Sequence, residues 1–340
     1  MQPDTCPSSP RVVIIGCGSW GTALATVLCH SASGITLVGR NPEVIRDINS
    51  AHRNERYLPG AELDPSITAS EDLAVAGEAD LILLVVPSSA TRATAEHLAT
   101  LKLKPQAILM ACSKGIERGS GHRMSEIIAE ILPAHQLSVL SGPNHAEEVS
   151  RGLATTTVIG SRDEEVRSCL QRLFTSPAFR SYTSTDLTGM EWGGAIKNVF
   201  AIASGIATGL GLGDNATAGL VTRGLAEMIR LGTALGGQPD TFIGLSGVGD
   251  LIATCYSHHS RNFRAGICIG KGHTVDQTLD EVGMVVEGIP NCQSIYEVAR
   301  NTGVRTPLID AVYSVLYEDK PAAEVLQELL TRAPRPETES

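Results

Sequence analysis

Positive charge, aromatic rings and paired cysteines are what this sequence has least of. Its 340 residues carry 27 Lys and Arg against 37 Asp and Glu, a formal net charge of −10 at pH 7. With no Lys/Arg run to offset that balance, nucleic acid and anionic membrane surfaces are poor partners. Aromatic residues make up 4% of the chain, too few for the stacking platforms that hold single-stranded nucleic acid. The eight cysteines, at 6, 17, 29, 112, 169, 255, 268 and 292, form no C-x-x-C pair. A chain of this length needs no cross-links, so all are expected to be free thiols in a reducing compartment. No stretch approaches the ~18 apolar residues of a membrane span. Residues 1–10, with Asp4 and three prolines, lack the apolar segment of a secretory signal. The expectation is a cytoplasmic protein without an integral membrane segment. Two kinds of site are also missing. No G-x-S-x-G elbow marks a serine nucleophile, and Cys255, His258, His259, Cys268 and His273 include no short pair of like zinc ligands, so no metal is expected.

What the sequence has is apolar residues (42%) and glycine (34 residues). The first allow a sizeable core and the second close backbone approaches. At ~100 to 200 residues per domain, the length points to two domains. From Arg11 onward, short β-branched runs at 12–15, 35–38, 81–86, 107–110, 137–140 and 155–159 alternate with helical-period segments. That alternation predicts a doubly wound α/β domain with a parallel sheet covered on both faces. The helices expected between the runs cover 20–29, a segment opened by Pro42, 71–76 with Ser70 as its cap, and 123–131. A short strand at 67–69 and a last unit at 163–174 and 179–182 extend the domain to about residue 186. After Leu187 the pattern becomes helix after helix. The chain therefore divides into an α/β domain over 1–186 and an all-α domain over 187–340. Within the second, 199–213 is almost wholly small or apolar, too short and glycine-rich for a membrane span and suited to a buried central helix.

The strongest local motif is Gly16-Cys17-Gly18-Ser19-Trp20-Gly21, between the first strand and the helix that follows it. Gly16 permits a tight turn, Gly18 lets a pyrophosphate approach the backbone, and Gly21 lets the helix pack on the strand. The helix N-terminus then points at the anion, so a dinucleotide cofactor is expected. An acid at the end of the second strand would accept from a ribose 2′-hydroxyl, but the sequence there reads Val38-Gly39-Arg40-Asn41. An arginine can receive a 2′-phosphate, which slightly favours NADP over NAD. Lys114 and the Ser141-Gly142-Pro143-Asn144-His145-Ala146 stretch follow later strands, where such sheets place their ligands. Lys114 can bind a phosphate or polarise a carbonyl. Lys197 places one cation in the apolar helix, where burial lowers an amine's pKa toward the range useful for exchanging a proton with an alcohol. Asp250, in Gly247-Val248-Gly249-Asp250, supplies a carboxylate able to orient or balance that amine, and Arg261, between Ser260 and Asn262, suits a phosphate.

In order, and over nearly the whole chain, these motifs resemble the bacterial-type NAD(P)-dependent glycerol-3-phosphate dehydrogenases. The resemblance rests on GCGSWGTAL (16–24), SKGIE (113–117), SGPN (141–144), AIKNVF (195–200), GIATGLGLGDN (205–215), GVGDL (247–251), SRN (260–262) and VVEG (285–288). It implies a Rossmann-type domain joined to an all-helical one, with reaction in the cleft between them. It implies reduction of dihydroxyacetone phosphate to sn-glycerol 3-phosphate, supplying glycerophospholipid synthesis, with Lys197 moving the proton at C2. Asp250 matches a substrate-site aspartate, with Lys114 beside these two in the chemistry. Lys114, Gly142, Asn144, Ser260, Arg261 and Asn262 match positions that hold substrate. Ser19, Trp20, Arg40, Lys114, Ala146, Arg261, Val285 and Glu287 match cofactor contacts, alongside Gly16, Gly18 and Gly21. A homodimer is compatible with the chain. Two rivals stand beside this reading: another two-domain dehydrogenase of the 6-phosphogluconate or ketopantoate type, and a sensor that binds NAD(P)H without reaction. The first does not account for Lys114, Asp250 and Arg261 together, and Lys197 with Asp250 argues against the second.

Overall fold

In the computed structural model, which describes residues 7–333 together with 336 and 337, β-branched and leucine-rich runs pair into one sheet. Its strands are β1 (Arg11–Ile15), β2 (Gly34–Val38), β3 (Ile67–Ser70), β4 (Leu81–Leu84), β5 (Ile108–Ala111), β6 (Gln136–Ser141), β7 (Thr155–Gly160) and β8 (Phe179–Ser184). Among the described residues the sheet has eight strands in the order β3-β2-β1-β4-β5-β6-β7-β8. Every residue of β4 and β5 is buried, as expected of strands covered on both faces. The covering helices are α1 (Ser19–Leu28), α2 (Pro42–Ala51), α3 (Thr91–Ala99), α4 (Met124–Ile131), α5 (Ala146–Val149) and α6 (Glu164–Phe174). The order doubles back between β1 and β4, which makes the crevice beyond their C-terminal ends the topological switch point. Ile15 sits in register with both Val38 and Leu84, so β1, β2 and β4 end at one level there.

Three expectations are corrected. The sheet is not wholly parallel, because β7 runs antiparallel to β6. The link between them carries a single helical turn, α5, and Gly142, at φ +134°, turns the chain back along β7. Ser70 does not cap a helix over 71–76. Asp72 caps a 3-10 turn at Leu73–Glu78 instead, accepting from the Ala74 N–H. The cysteines are not all free thiols: Cys169, buried on α6, is disulfide-bonded, while Cys6 lies outside the described residues. Cys17, Cys29, Cys112, Cys255, Cys268 and Cys292 are free.

By its internal contacts the chain forms two compact units. The sheet unit takes residues to Lys114 and from Arg123 to Leu187, while the helical unit takes Gly115–His122 and residues from Thr188. The second unit contains α7 (Leu187–Gly209), α8 (Gly213–Ala234), α9 (Pro239–Phe242), a π-helical turn at Leu245–Gly249, α10 (Asp250–Tyr256), α11 (Arg261–Gly270) and α12 (Val275–Val282). α13 (Gly288–Thr302), α14 (Pro307–Tyr317) and α15 (Ala322–Leu330) complete it. Ile116 is buried in the core of this unit, and its N–H donates to Asn291 Oδ1. α7 is the central helix, buried on all sides over most of its length. α7 and α11 approach so closely at Gly205 and Gly266 that a Cβ on Gly205 would lie 2.8 Å from the Gly266 Cα. Among the described residues no helix is long and apolar enough to cross a membrane.

Candidate active site

The first half of the site is built by backbone. Gly16 leaves β1 at φ +124°, a conformation that L-residues rarely adopt, and its N–H donates to the Val38 carbonyl at 2.8 Å. A side chain there would collide with the Val85 carbonyl, and one on Gly21 would collide with the carbonyl of Gly16. Gly18, the N-cap of α1, is different: a Cβ built on it meets nothing within 4 Å. That open space lies at a helix N-terminus with no capping side chain and no acidic residue in its first turn. It therefore fits the pyrophosphate of a dinucleotide, whose charge the helix dipole and amides favour. Behind the loop, buried Asn54 holds the backbone in place by donating to the Cys17 carbonyl at 2.9 Å and to Thr22 Oγ1 at 2.7 Å. Ser19 Oγ donates to the Tyr57 carbonyl, and Trp20 packs half-buried on the core. Burial pushes the Cys17 thiol up to about 12, so the cysteine inside the motif is packing and not a reactive thiol.

Arg40 is exposed, one residue beyond Gly39, whose N–H is held by the Ser70 carbonyl. Further along the same sheet edge, Lys114 Nζ donates to the Gly142 carbonyl at 2.8 Å. The Asn144 side chain is anchored to β7, donating to the Thr156 carbonyl at 3.0 Å and accepting from Thr157 Oγ1 at 3.2 Å. Ala146 is buried at the start of α5. The sheet unit thus brings Lys114, Gly142 and Asn144 together, and gathers Gly16, Gly18, Ser19, Trp20 and Gly21 in the glycine loop.

The helical unit holds the remaining residues. Lys197, on α7, is buried, and its Nζ lies 2.8 Å from Asp250 Oδ1, also buried. The Lys197 ammonium also donates to Thr254 Oγ1 at 2.6 Å, and that hydroxyl donates to the Asp250 carbonyl at 2.6 Å. A buried pair is tolerated when its remaining polar atoms are engaged in this way. Local sequence sets the geometry. Gly193 has no side chain, and a Cβ on it would lie 2.6 Å from the Ser246 carbonyl oxygen, so α7 rests directly on the π-helical turn. Four residues further along both segments, Lys197 meets Asp250. Thr254 was not singled out from sequence, although its place four residues after Asp250 puts both on one helical face.

Around this pair, Asn262 is committed at both ends of its side chain. It donates to Asn198 Oδ1 at 2.9 Å and accepts from the Gly288 N–H at 2.9 Å, tying α7 to α11 and α13. Ser260 caps α11 by accepting from the Phe263 N–H, and Arg261 stands half-buried at the first position of that helix. Val285 is exposed, and Glu287 is the residue before α13. Asn198 was missed in the sequence, as was Asn54, because their partners are distant in the chain.

Comparison with known proteins covers both units. The family model described as the NAD-dependent glycerol-3-phosphate dehydrogenase N-terminus matches residues 11–167, and the corresponding C-terminus model matches residues 186–327. Glycerol-3-phosphate dehydrogenase (NAD(P)+) of Enterococcus faecalis is 46% identical over 334 residues, covering 97% of this chain and 98% of the relative. The crystal structure of glycerol-3-phosphate dehydrogenase from Coxiella burnetii is 34% identical, with a TM-score of 0.92 over 96% of this chain and 100% of that one. A PanE/ApbA family ketopantoate reductase from Ralstonia eutropha, at 16% identity and a TM-score of 0.61, covers 93% of this chain and 99% of that one; it shares the fold alone.

Proposed function

Because the chain belongs to the NAD-dependent glycerol-3-phosphate dehydrogenase family, we propose that it reduces dihydroxyacetone phosphate to sn-glycerol 3-phosphate with NADPH or NADH. The observation that carries this reading is the buried Lys197–Asp250 pair at 2.8 Å, a proton donor with its counter-charge on the apolar helix of a dehydrogenase. The nicotinamide, when bound, supplies the hydride that C2 accepts. As the carbonyl oxygen becomes an alkoxide, the Lys197 ammonium donates a proton to it and is left as the neutral amine, to be reprotonated from solvent. Asp250 holds the ammonium before transfer and Thr254 fixes its direction, so the proton is already aimed when charge appears. In the oxidative direction the neutral amine takes the proton from the C2 hydroxyl.

The substrate's phosphate needs cations and amides. Arg261 offers a planar fork at the first position of α11, where the helix dipole adds to its charge. Lys114 adds an ammonium near Gly142 and Asn144. Asn262, with its side chain already engaged, keeps Arg261 and α7 in register. Arg40 offers a guanidinium for a 2′-phosphate, which favours NADPH. A cytoplasmic location, a homodimeric state and the supply of glycerophospholipid synthesis belong to the same reading. The test is the fall in reduced-cofactor absorbance when dihydroxyacetone phosphate is added, measured with each cofactor. Turnover, faster with NADPH, is expected. Nucleotide binding without turnover would favour the sensor instead.

A further inference from the structure

α11 and α12 are joined by residues 271–274, and this hairpin brings together three side chains that the proposed chemistry does not use. Cys268 lies in the last turn of α11, His273 in the link and Glu281 near the end of α12. The cysteine sulfur, a ring nitrogen of the histidine and a carboxylate oxygen all lie within 4.8 Å of one another. We propose that Cys268, His273 and Glu281 bind a zinc-class divalent cation that fastens α11 to α12.

The donor set selects the metal class. Thiolate, imidazole and carboxylate together suit a borderline-soft ion such as Zn²⁺, whereas Mg²⁺ and Ca²⁺ need all-oxygen sites. The geometry is close to what such an ion requires. Zn–N and Zn–O bonds of ~2.1 Å at a tetrahedral angle span an edge of about 3.4 Å. His273 Nδ1 and Glu281 Oε2 are 3.1 Å apart. The backbone holds the ligands ready: the His273 N–H donates to the Cys268 carbonyl at 3.1 Å, Gly272 turns the chain at φ +95°, and Thr274 and Gln277 cap α12 reciprocally. Cys268 is buried while the His273 and Glu281 side chains are 42% and 56% exposed. An ion can therefore enter from solvent and keep a water as its fourth ligand, while the thiol proton leaves to solvent as the metal–sulfur bond forms. Sequence spacing did not disclose this set because its ligands are unlike, and the carboxylate comes from the second helix of the hairpin.

The site is tested by titrating the full-length, chelator-treated protein with Co²⁺ and following the sulfur-to-cobalt charge-transfer band and the visible bands of tetrahedral cobalt. One cobalt per chain is expected, displaced by Zn²⁺. Cys268→Ser should abolish the charge-transfer band, and His273→Ala and Glu281→Gln should weaken binding by about 10- to 100-fold or more. Cys29→Ser, at the one free thiol among the described residues that is not buried, should change nothing. Zn²⁺ at about a hundred times its dissociation constant should raise the melting midpoint of the wild-type chain by roughly 3 to 5 °C, and should not raise that of His273→Ala. The metal-free variants should keep wild-type turnover with dihydroxyacetone phosphate. Absence of the band in the wild type, or its persistence in Cys268→Ser, would overturn the site. If Cys268→Ser fails to fold, undiminished binding by the exposed-residue variant Glu281→Gln would overturn it equally.

Discussion

Glu227, on α8, is a buried acid with no part in the proton chemistry, and it gives the helical unit a pH dependence of its own. Its carboxylate accepts from the Leu308 and Ile309 N–H groups at 3.1 and 2.9 Å, capping the start of α14. Burial, the larger effect, pushes its pKa up to about 7, and the two amide hydrogen bonds only partly oppose the rise. Between the ordinary carboxyl value and about 7, the folded chain therefore holds a proton that the unfolded chain has released. Stability from this group is fully present below that window, declines as pH rises through it, and is flat above it. The decline should amount to a few kcal/mol. In Glu227→Gln that contribution disappears, so the difference between the melting midpoints of variant and wild type should change between pH 5 and pH 8. Parallel midpoint curves would show that Glu227 does not titrate there. The free cysteines Cys112 and Cys292 are raised beyond the reach of physiological pH by burial, which makes them packing residues.

At the scale of elements, the pairing of Lys197 with Asp250 depends on how closely α7 lies against the turn at Leu245–Gly249. Gly193→Ala would place a methyl group 2.6 Å from the Ser246 carbonyl oxygen, with backbone on both sides and no flexible side chain to yield. The helix must move, at about 1–3 kcal/mol for an overpacked contact. The expected outcome is a lower urea midpoint together with a lower kcat; wild-type values for both would mean that the contact is not what sets the pair. Elements that declare themselves locally were legible in the sequence. Each run named as a strand lies on one, and Gly16 and Gly21 carry the turn and packing constraints that the motif implies. The antiparallel turn from β6 to β7 was not legible, because strand direction follows from how the 142–154 link folds back. Nor was α3, whose polar sequence carries only three buried positions. The Asn198–Asn262–Gly288 clasp and the Cys268, His273 and Glu281 set depend on contacts between helices, which spacing along the chain does not reveal.

For the whole molecule, the net charge of −10 opposes two anionic reactants. Binding then depends on local cations, and Arg40, Lys114, Lys197 and Arg261 are the ones that the sequence picks out. The proposed reaction divides labour between the two units: the glycine loop in the sheet unit would seat the pyrophosphate, and the buried ammonium in the helical unit would give the proton. Segment 115–122 departs from a simple N-terminal and C-terminal split, since Ile116 packs in the helical core. If the division holds, nucleotide affinity and proton transfer can be separated by one substitution. The decisive measurement is the kcat of Lys197→Ala for dihydroxyacetone phosphate, set beside its dissociation constant for NADPH. Loss of a positioned proton donor should lower kcat by about 10²- to 10⁴-fold and leave NADPH affinity unchanged. Full turnover in that variant, or a loss explained by weaker nucleotide binding, would contradict the account.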